Sequence, residues 1–170
     1  MPDLDHPDIC VFDLDPSADD PGAVRAAAID LRDLLDELTL PSWIKTTGSK
    51  DFHIVVPLDG KTPVNVVARF ANTVGTMFVK RTPDRLTQAF SKADRGGRIY
   101  VDIGRNGYSA TFAAAYTIRA KPGAPVSAPA RGRRSSAATS PRKHSRFATW
   151  SRASTKSATY GLSCGVVDDR

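Results

Sequence analysis

The apolar positions of this chain change period several times, and each change marks an element. Ile9-Cys10-Val11-Phe12 is a short apolar run of strand formers that ends in Asp13-Leu14-Asp15-Pro16, which predicts a buried strand stopped by proline. Asp20-Pro21 supplies a capping residue followed by proline at the first helical position. Val24, Ala27, Ala28, Leu31, Leu34, Leu35 and Leu38 then recur at helical spacing, so an amphipathic helix is expected over about 21–38. Leu40-Pro41 ends it. Ser42 to Thr46 and Phe52 to Pro57 read as two strands joined by the turn Gly48-Ser49-Lys50-Asp51, together a hairpin. Thr62-Pro63 predicts a second helix by the same capping logic, with Val66, Val67, Phe70, Val74 and Phe78 as its apolar face to about Lys80. A short helix is expected from Pro83 to Ala89, and Arg95-Gly96-Gly97 is a turn before the strand Arg98 to Ile103. Asn106-Gly107 is a turn dipeptide. Thr111 to Ile118 is apolar without a clear period.

From about Ala130 the apolar spacing disappears, and Arg, Ser, Ala and Thr take over. Such a stretch cannot bury enough surface to offset chain entropy. The expected organisation is a folded part, 1–129, and a disordered basic tail, 130–170.

Charge follows the same boundary. Of the chain's 24 Lys/Arg and 18 Asp/Glu, residues 131–170 hold 9 and 2, which leaves 15 and 16 in the body. The net +6 therefore belongs to the tail and does not argue for nucleic-acid binding by the folded part. Within the body, Lys80, Arg81, Arg85, Lys92, Arg95 and Arg98 crowd into one segment. No stretch has the roughly 18 consecutive apolar residues of a membrane span, and the acidic start is not a secretory signal. Cys10 and Cys164 have no metal-ligand spacing. Cys10 reads as a reduced core thiol, and a cytoplasmic protein is expected.

Three places could carry chemistry. Residues two apart on a strand share a face, so Asp13 and Asp15 point the same way at the end of a buried strand. Two such carboxylates are costly without a positive partner, and Mg²⁺ or Mn²⁺ suits hard oxygens. A solvated strand end explains the pair equally well. The turn Thr46-Thr47-Gly48-Ser49-Lys50-Asp51 offers hydroxyls, backbone N–H groups and a lysine to phosphates. Taken alone it is better read as an ordinary hairpin turn. His53 should project opposite Phe52 and Ile54, and a lone histidine there is usually structural. Asp102 is again a carboxylate at the mouth of an apolar strand. Three carboxylates on two strands, a hydroxyl-Lys-His hairpin and nearby arginines together suggest a metal–triphosphate site.

The order of these segments resembles the polymerase domain of bacterial ligase D, in the archaeo-eukaryotic primase superfamily. The resemblance rests on Val11-Phe12-Asp13-Leu14-Asp15-Pro16, on Lys45 through Leu58, on Arg95 through Asp102 with Arg105-Asn106, and on Tyr116 through Ser127. It covers about 8–129. It implies an α+β primase-polymerase palm with an RRM-like antiparallel or mixed sheet flanked by helices. It implies two Mg²⁺ or Mn²⁺ ions on Asp13, Asp15 and Asp102. By the same resemblance Thr47, Lys50, His53 and Arg119 grip the incoming nucleotide, with Ser49 in the same turn and Arg95 and Arg105 near the site. The implied activity is primer extension and gap filling at DNA ends from nucleoside triphosphates, with a preference for ribonucleotides. Ku and a separate DNA ligase are the implied partners, and the nucleoid is the implied location.

The chain departs from the family pattern in four places. The family carries a segment before the Phe12-Asp13-Leu14-Asp15 strand that stacks on the nucleotide and binds a 5′-phosphate, and this chain starts almost at that strand. Thr47 stands where serine is commoner, and Asp51 stands where glycine is commoner. After Pro129 the usual acidic, Trp-containing stretch gives way to Arg131-Gly132-Arg133-Arg134, which reads as a shifted frame or a decayed gene. Three functions are therefore open: a nucleotidyltransferase, a truncated remnant that only binds nucleic acid, and a haloacid-dehalogenase-type phosphatase suggested by the Asp-x-Asp strand end.

Overall fold

The computed structural model describes residues 3–130, so the expected disorder of 130–170 falls, beyond its first residue, outside the described residues. Five strands and two helices form one layered body. The strands are β1 (Ile9–Asp15), β2 (Trp43–Thr46), β3 (Phe52–Pro57), β4 (Leu86–Thr87) and β5 (Ile99–Asp102). The helices are α1 (Pro21–Glu37) and α2 (Val64–Arg81). The sheet order is β2-β3-β1-β5-β4, antiparallel at every pairing except β4 with β5.

One face of this sheet is apolar and both helices cover it. Cys10, Phe12 and Leu14 of β1, Ile44 of β2, Ile54 and Val56 of β3, Leu86 of β4, and Ile99 and Val101 of β5 share a single core. Helix α1 adds Val24, Ala27, Ala28, Leu31, Leu34 and Leu35, at the spacing expected from the sequence. Asp20 caps it, its carboxylate accepting from the Ala23 N–H at 2.9 Å. Cys10 is buried and unbridged, and burial pushes its thiol up to about 12.

Helix α2 differs from expectation at its start and on its face. It begins at Val64 with no side-chain cap from Thr62. The Asp5 carbonyl takes the Val64 N–H at 2.7 Å instead, so a tertiary contact replaces the cap. Its buried face is Val67, Ala71, Val74, Gly75 and Phe78, whereas Val66 is exposed. Gly75 allows close approach: a Cβ there would meet Gln88 Nε2 at 2.9 Å and Ile103 Cγ2 at 3.1 Å.

The short helix expected over Pro83–Ala89 is absent. Leu86 and Thr87 form β4 instead, and the Arg85 carbonyl accepts from the Ile99 N–H at 2.9 Å. Burying Leu86 in the core and adding a parallel edge to β5 outweighs weak local helix propensity. The ambiguous stretch Thr111–Ile118 forms no helix or strand beyond one bridge, Ile118 with Val126. Residues from Ala113 to Ala130 instead pack along β2. Thr46 donates to the Ala128 carbonyl at 2.8 Å, and Ala130 donates to the Ile44 carbonyl at 2.8 Å.

Candidate active site

The helix-free face of the sheet carries the chemistry, and strand register explains why. Residues directly opposite each other in an antiparallel pair share a face. Lys45 lies opposite His53, His53 opposite Asp13, and Asp13 opposite Asp102. These four form one row across β2, β3, β1 and β5. Asp15 is two residues along from Asp13 and pairs with Tyr100, so both join the same face. Asp13, Asp15 and Asp102 thus share one side of the sheet, with Asp13 and Asp102 on neighbouring strands at directly opposed positions.

Arginines meet all three carboxylates. Arg95 Nη1 donates to Asp15 Oδ2 at 2.7 Å. Arg105 Nε stands 3.4 Å from Asp13 Oδ2 and 3.5 Å from Asp102 Oδ2, long contacts that act as a shared counter-charge. Asp102 Oδ1 accepts from the Gly104 N–H at 2.8 Å. His53 Nε2 lies 3.5 Å from Asp13 Oδ2, and both side chains are buried. Two polar atoms are left over in this cluster: Asp13 Oδ1 and His53 Nδ1 are buried with no hydrogen-bond partner. A buried carboxylate oxygen without a donor is unfavourable, and a cation would satisfy it.

Among the described residues, no three His, Cys, Asp or Glu side chains are disposed to hold a metal ion as they stand. The donor set nevertheless fits one. Asp13 presents a free buried oxygen, Asp102 faces it across the strand pair, and both supply the hard oxygens that Mg²⁺ or Mn²⁺ prefers. Asp15 is engaged by Arg95 and would have to exchange that partner.

Beside the row is a cavity of about 310 Å³, lined by Asp13, Thr47, Asp51, His53, Arg105 and Arg119 together with Thr111, Phe112, Ala113 and Thr117. Arg119 reaches it from the segment packed along β2, held by donation from Nη1 to the Thr47 carbonyl at 2.8 Å. Gly48 permits that approach. Its φ is +72°, and a Cβ would meet Arg119 Cγ at 2.8 Å. Of the expected nucleotide-binding residues, Thr47, His53, Arg105 and Arg119 line this cavity. Ser49 and Lys50 do not. Ser49 Oγ accepts from Lys121 Nζ at 2.5 Å, and Lys50 pairs with Asp19 at 3.0 Å on the exposed surface. Arg95 also lies outside the cavity walls, behind Asp15.

Of two further titratable residues in or beside the site, Lys45 escapes sequence reasoning, whereas Asp51 already stands out there as a carboxylate in the hairpin turn where the family commonly has glycine. Lys45 is 3% exposed, and burial depresses its ammonium to about 8, with Arg119 adding to that effect and Asp13 opposing it. Its Nζ donates to the Ala113 carbonyl at 2.5 Å and to Ser127 Oγ at 3.1 Å. Alternation with the core residue Ile44 in β2 was the available signal, but only the register shows that Lys45 meets His53. Asp51 enters the cavity wall. Burial raises its carboxyl above the usual range, the charges of Asp13 and Asp15 raise it further, and hydrogen bonding from Thr47 and the charge of Lys121 oppose the shift.

Comparison with known proteins bears on the family and the fold. A family model for the LigD primase-polymerase domain matches residues 1–158. The multifunctional non-homologous end joining protein LigD of Pseudomonas aeruginosa is 37% identical over 130 residues, covering 76% of this chain and 16% of that protein. The multifunctional non-homologous end joining DNA repair protein LigD of Mycobacterium tuberculosis is 33% identical over 123 residues, covering 70% of this chain and 16% of its own length. The chain therefore spans about a sixth of these relatives. The polymerase domain of Mycobacterium tuberculosis ligase D, solved in complex with DNA, superimposes with a TM-score of 0.69 at 30% identity. That match covers 74% of this chain and 44% of the solved one. The mixed five-stranded sheet with two helices thus matches the fold of the covered part of that polymerase domain, and no helix among the described residues is long and apolar enough to cross a membrane. On the strength of a family match over most of its length and a common fold, the chain belongs to the LigD primase-polymerase domain family.

Proposed function

We propose that this chain is a nucleotidyltransferase that extends a DNA primer at broken or gapped ends during end-joining repair. The observation that supports it most is the row of Asp13 and Asp102 on the open sheet face, beside a cavity walled by Thr47, His53 and Arg119. Two divalent ions, Mg²⁺ or Mn²⁺, on Asp13, Asp15 and Asp102 would supply Lewis acidity at the attacking 3′-hydroxyl and at the triphosphate. Arg119 and Thr47 would bind phosphate oxygens, the former through a guanidinium already fixed at the cavity wall. His53 would keep Asp13 oriented, its Nε2 lying 3.5 Å from the carboxylate. Arg105 would hold the Asp13–Asp102 pair together until the ions take over its charge. Ser49 and Lys50 would reach the triphosphate only by rearrangement of the hairpin tip. A preference for ribonucleotides, action with Ku and a separate ligase, and a place at the nucleoid in the cytoplasm belong to the same proposal.

A second reading is a chain that binds nucleic acid but transfers nucleotides slowly or not at all. Asp51 favours it, because a further carboxylate in the cavity wall opposes a triphosphate. The phosphatase reading is set aside, since the chain belongs to another family.

Primer extension with ribonucleotides and Mn²⁺ separates the two. The transferase reading expects extension by the wild-type chain and its loss in Asp13→Ala and in Asp102→Ala. Retained extension in both variants would reject the site. Calorimetry with Mn²⁺ and a nucleotide addresses the second reading, which a micromolar complex followed by turnover would defeat.

A further inference from the structure

The open half of the sheet face carries an aromatic group that the cavity does not use. Residues 113–130 pack along β2, at one end of the sheet. Towards the other end, Tyr100 of β5 stands on the open face, opposite Asp15. Phe90, just past β4, meets Tyr100 edge-on at 6.4 Å between ring centroids and 83° between planes. Phe90 is 84% exposed, more than any other large apolar side chain described. The Arg95 guanidinium lies over the Tyr100 ring, 4.2 Å from its centroid.

A lone exposed phenylalanine usually needs no explanation. This one differs in how firmly its backbone is held. Arg95 donates from Nε to the Ala89 carbonyl at 3.2 Å and from Nη2 to the Phe90 carbonyl at 3.0 Å. The Ala89 N–H is bound to Thr87 Oγ1 at 3.0 Å, and neighbouring Gln88 accepts from Thr76 of α2 at 3.1 Å. Arg98 fixes the turn that carries Arg95 by donating to the carbonyls of Arg95 and Asp94 at 2.8 and 3.0 Å. The same Arg95 side chain grips Asp15. One guanidinium therefore ties the position of an exposed ring to the position of a carboxylate in the candidate active site.

We propose that Phe90, backed by Tyr100 and Arg95, is a stacking platform for an unpaired nucleobase of the strand that passes the carboxylate row. The inference rests on the reading that nucleic acid is the substrate. Every base has a π-face, and a fixed exposed ring accepts it without sequence preference. Lys92 is exposed in the following turn and supplies positive charge for the adjoining phosphate. A protein partner fits less well, since an interface needs an apolar patch many times larger than one ring.

The test uses the full chain and two single-stranded oligonucleotides, one with 2-aminopurine at a central position and one abasic there. Stacking on Phe90 quenches the 2-aminopurine. Phe90→Ala should lose that quenching and bind the base-containing strand about tenfold more weakly, while Phe90→Trp keeps both. Both variants should bind the abasic strand as the wild type does, because charge from the basic C-terminal residues acts on either strand. Unchanged quenching in Phe90→Ala overturns the platform. So does an equal loss on the abasic strand, which would mark a structural role. Wild-type chain that quenches the probe but never extends a primer defeats the transferase reading alone, and extension with an unquenched probe defeats the platform alone.

Discussion

Asn106 closes a gap in the sheet that no strand fills. β5 ends at Asp102, opposite Asp13, so the β5 side of β1 has no strand partner at Val11. The Asn106 carboxamide takes that place. Its Oδ1 accepts from the Val11 N–H at 2.7 Å, and its Nδ2 donates to the Val11 carbonyl at 2.7 Å and to the Ile103 carbonyl at 2.9 Å. Both residues are buried, Val11 at 1% and Asn106 at 6% exposure. Truncation in Asn106→Ala leaves the two Val11 groups without partners, and each such buried group costs about 1–3 kcal/mol. A loss of about 3 kcal/mol is expected, a large share of the roughly 5–15 kcal/mol available to a domain.

Urea unfolding followed by tryptophan fluorescence measures this, since Trp43 lies on β2. The midpoint should fall with the slope unchanged, because the exposed surface on unfolding is the same. Asn106→Asp sharpens the test. It keeps an acceptor for the Val11 N–H but sets a buried charge against two carbonyls, so at pH 7 it should destabilise at least as much as alanine. It should recover in acid, where a protonated carboxyl can donate once. A loss below about 0.5 kcal/mol in Asn106→Ala, the range of ordinary surface substitutions, would show that the carboxamide does not act as a substitute strand.

Two further predictions concern buried charge. Asp51 has its carboxyl raised by burial and by Asp13 and Asp15, so its folded form favours the proton: its own contribution to stability is most favourable below the unfolded value of 3.8 and is lost as pH rises through the folded one. Asp51→Asn should therefore melt higher than wild type at pH 7 and no higher at pH 3; equal melting temperatures at pH 7 would refute the assignment. Lys45 is depressed from 10.5 to about 8, so the wild-type chain should gain stability between those pH values, by about 3 kcal/mol at most. Lys45→Met should lose that rise in urea titrations, and a variant with an unchanged slope would place the ammonium in water.

Much of the fold was legible because apolar periodicity reports burial directly. The run Ile9–Phe12 and the spacing Val24–Leu35 have no other good solution, and both elements appear where the pattern puts them. Pro83–Ala89 misled because two residues of edge strand carry too little pattern to compete with helix propensity, and pairing with Ile99 decides the matter. Asn106-Gly107 was legible as a turn, but the partner of its carboxamide lies 95 residues away, and no local signal carries that. The candidate site divides the same way. Asp13 and Asp15 share a face by strand geometry alone, whereas the place of Asp102 opposite Asp13, and of Lys45 opposite His53, depends on register. Family resemblance supplied the carboxylate set in advance. It also put Arg95 and Arg105 near the site, but it could not say which carboxylate each would meet, because those contacts belong to the folded surface of this chain.

Those arginine contacts are unequal, and the inequality bears on how the site would load. Arg95 is 5% exposed at its side chain, bonds Asp15 at 2.7 Å and holds two further carbonyls and an aromatic face. Moving it would break several interactions at once and disturb the Phe90 loop. Arg105 is 42% exposed and touches Asp13 and Asp102 only at 3.4 and 3.5 Å. Exposed, long contacts of this kind contribute little, about 0–1 kcal/mol. Asp13 also keeps one buried oxygen with no partner at all. A cation arriving at this face therefore meets little resistance between Asp13 and Asp102 and much more at Asp15. On these contacts, Asp13 and Asp102 would be free to hold a divalent ion, which would supply Lewis acidity to the site, whereas Asp15 would join them only if the loss of its bond to Arg95 were compensated.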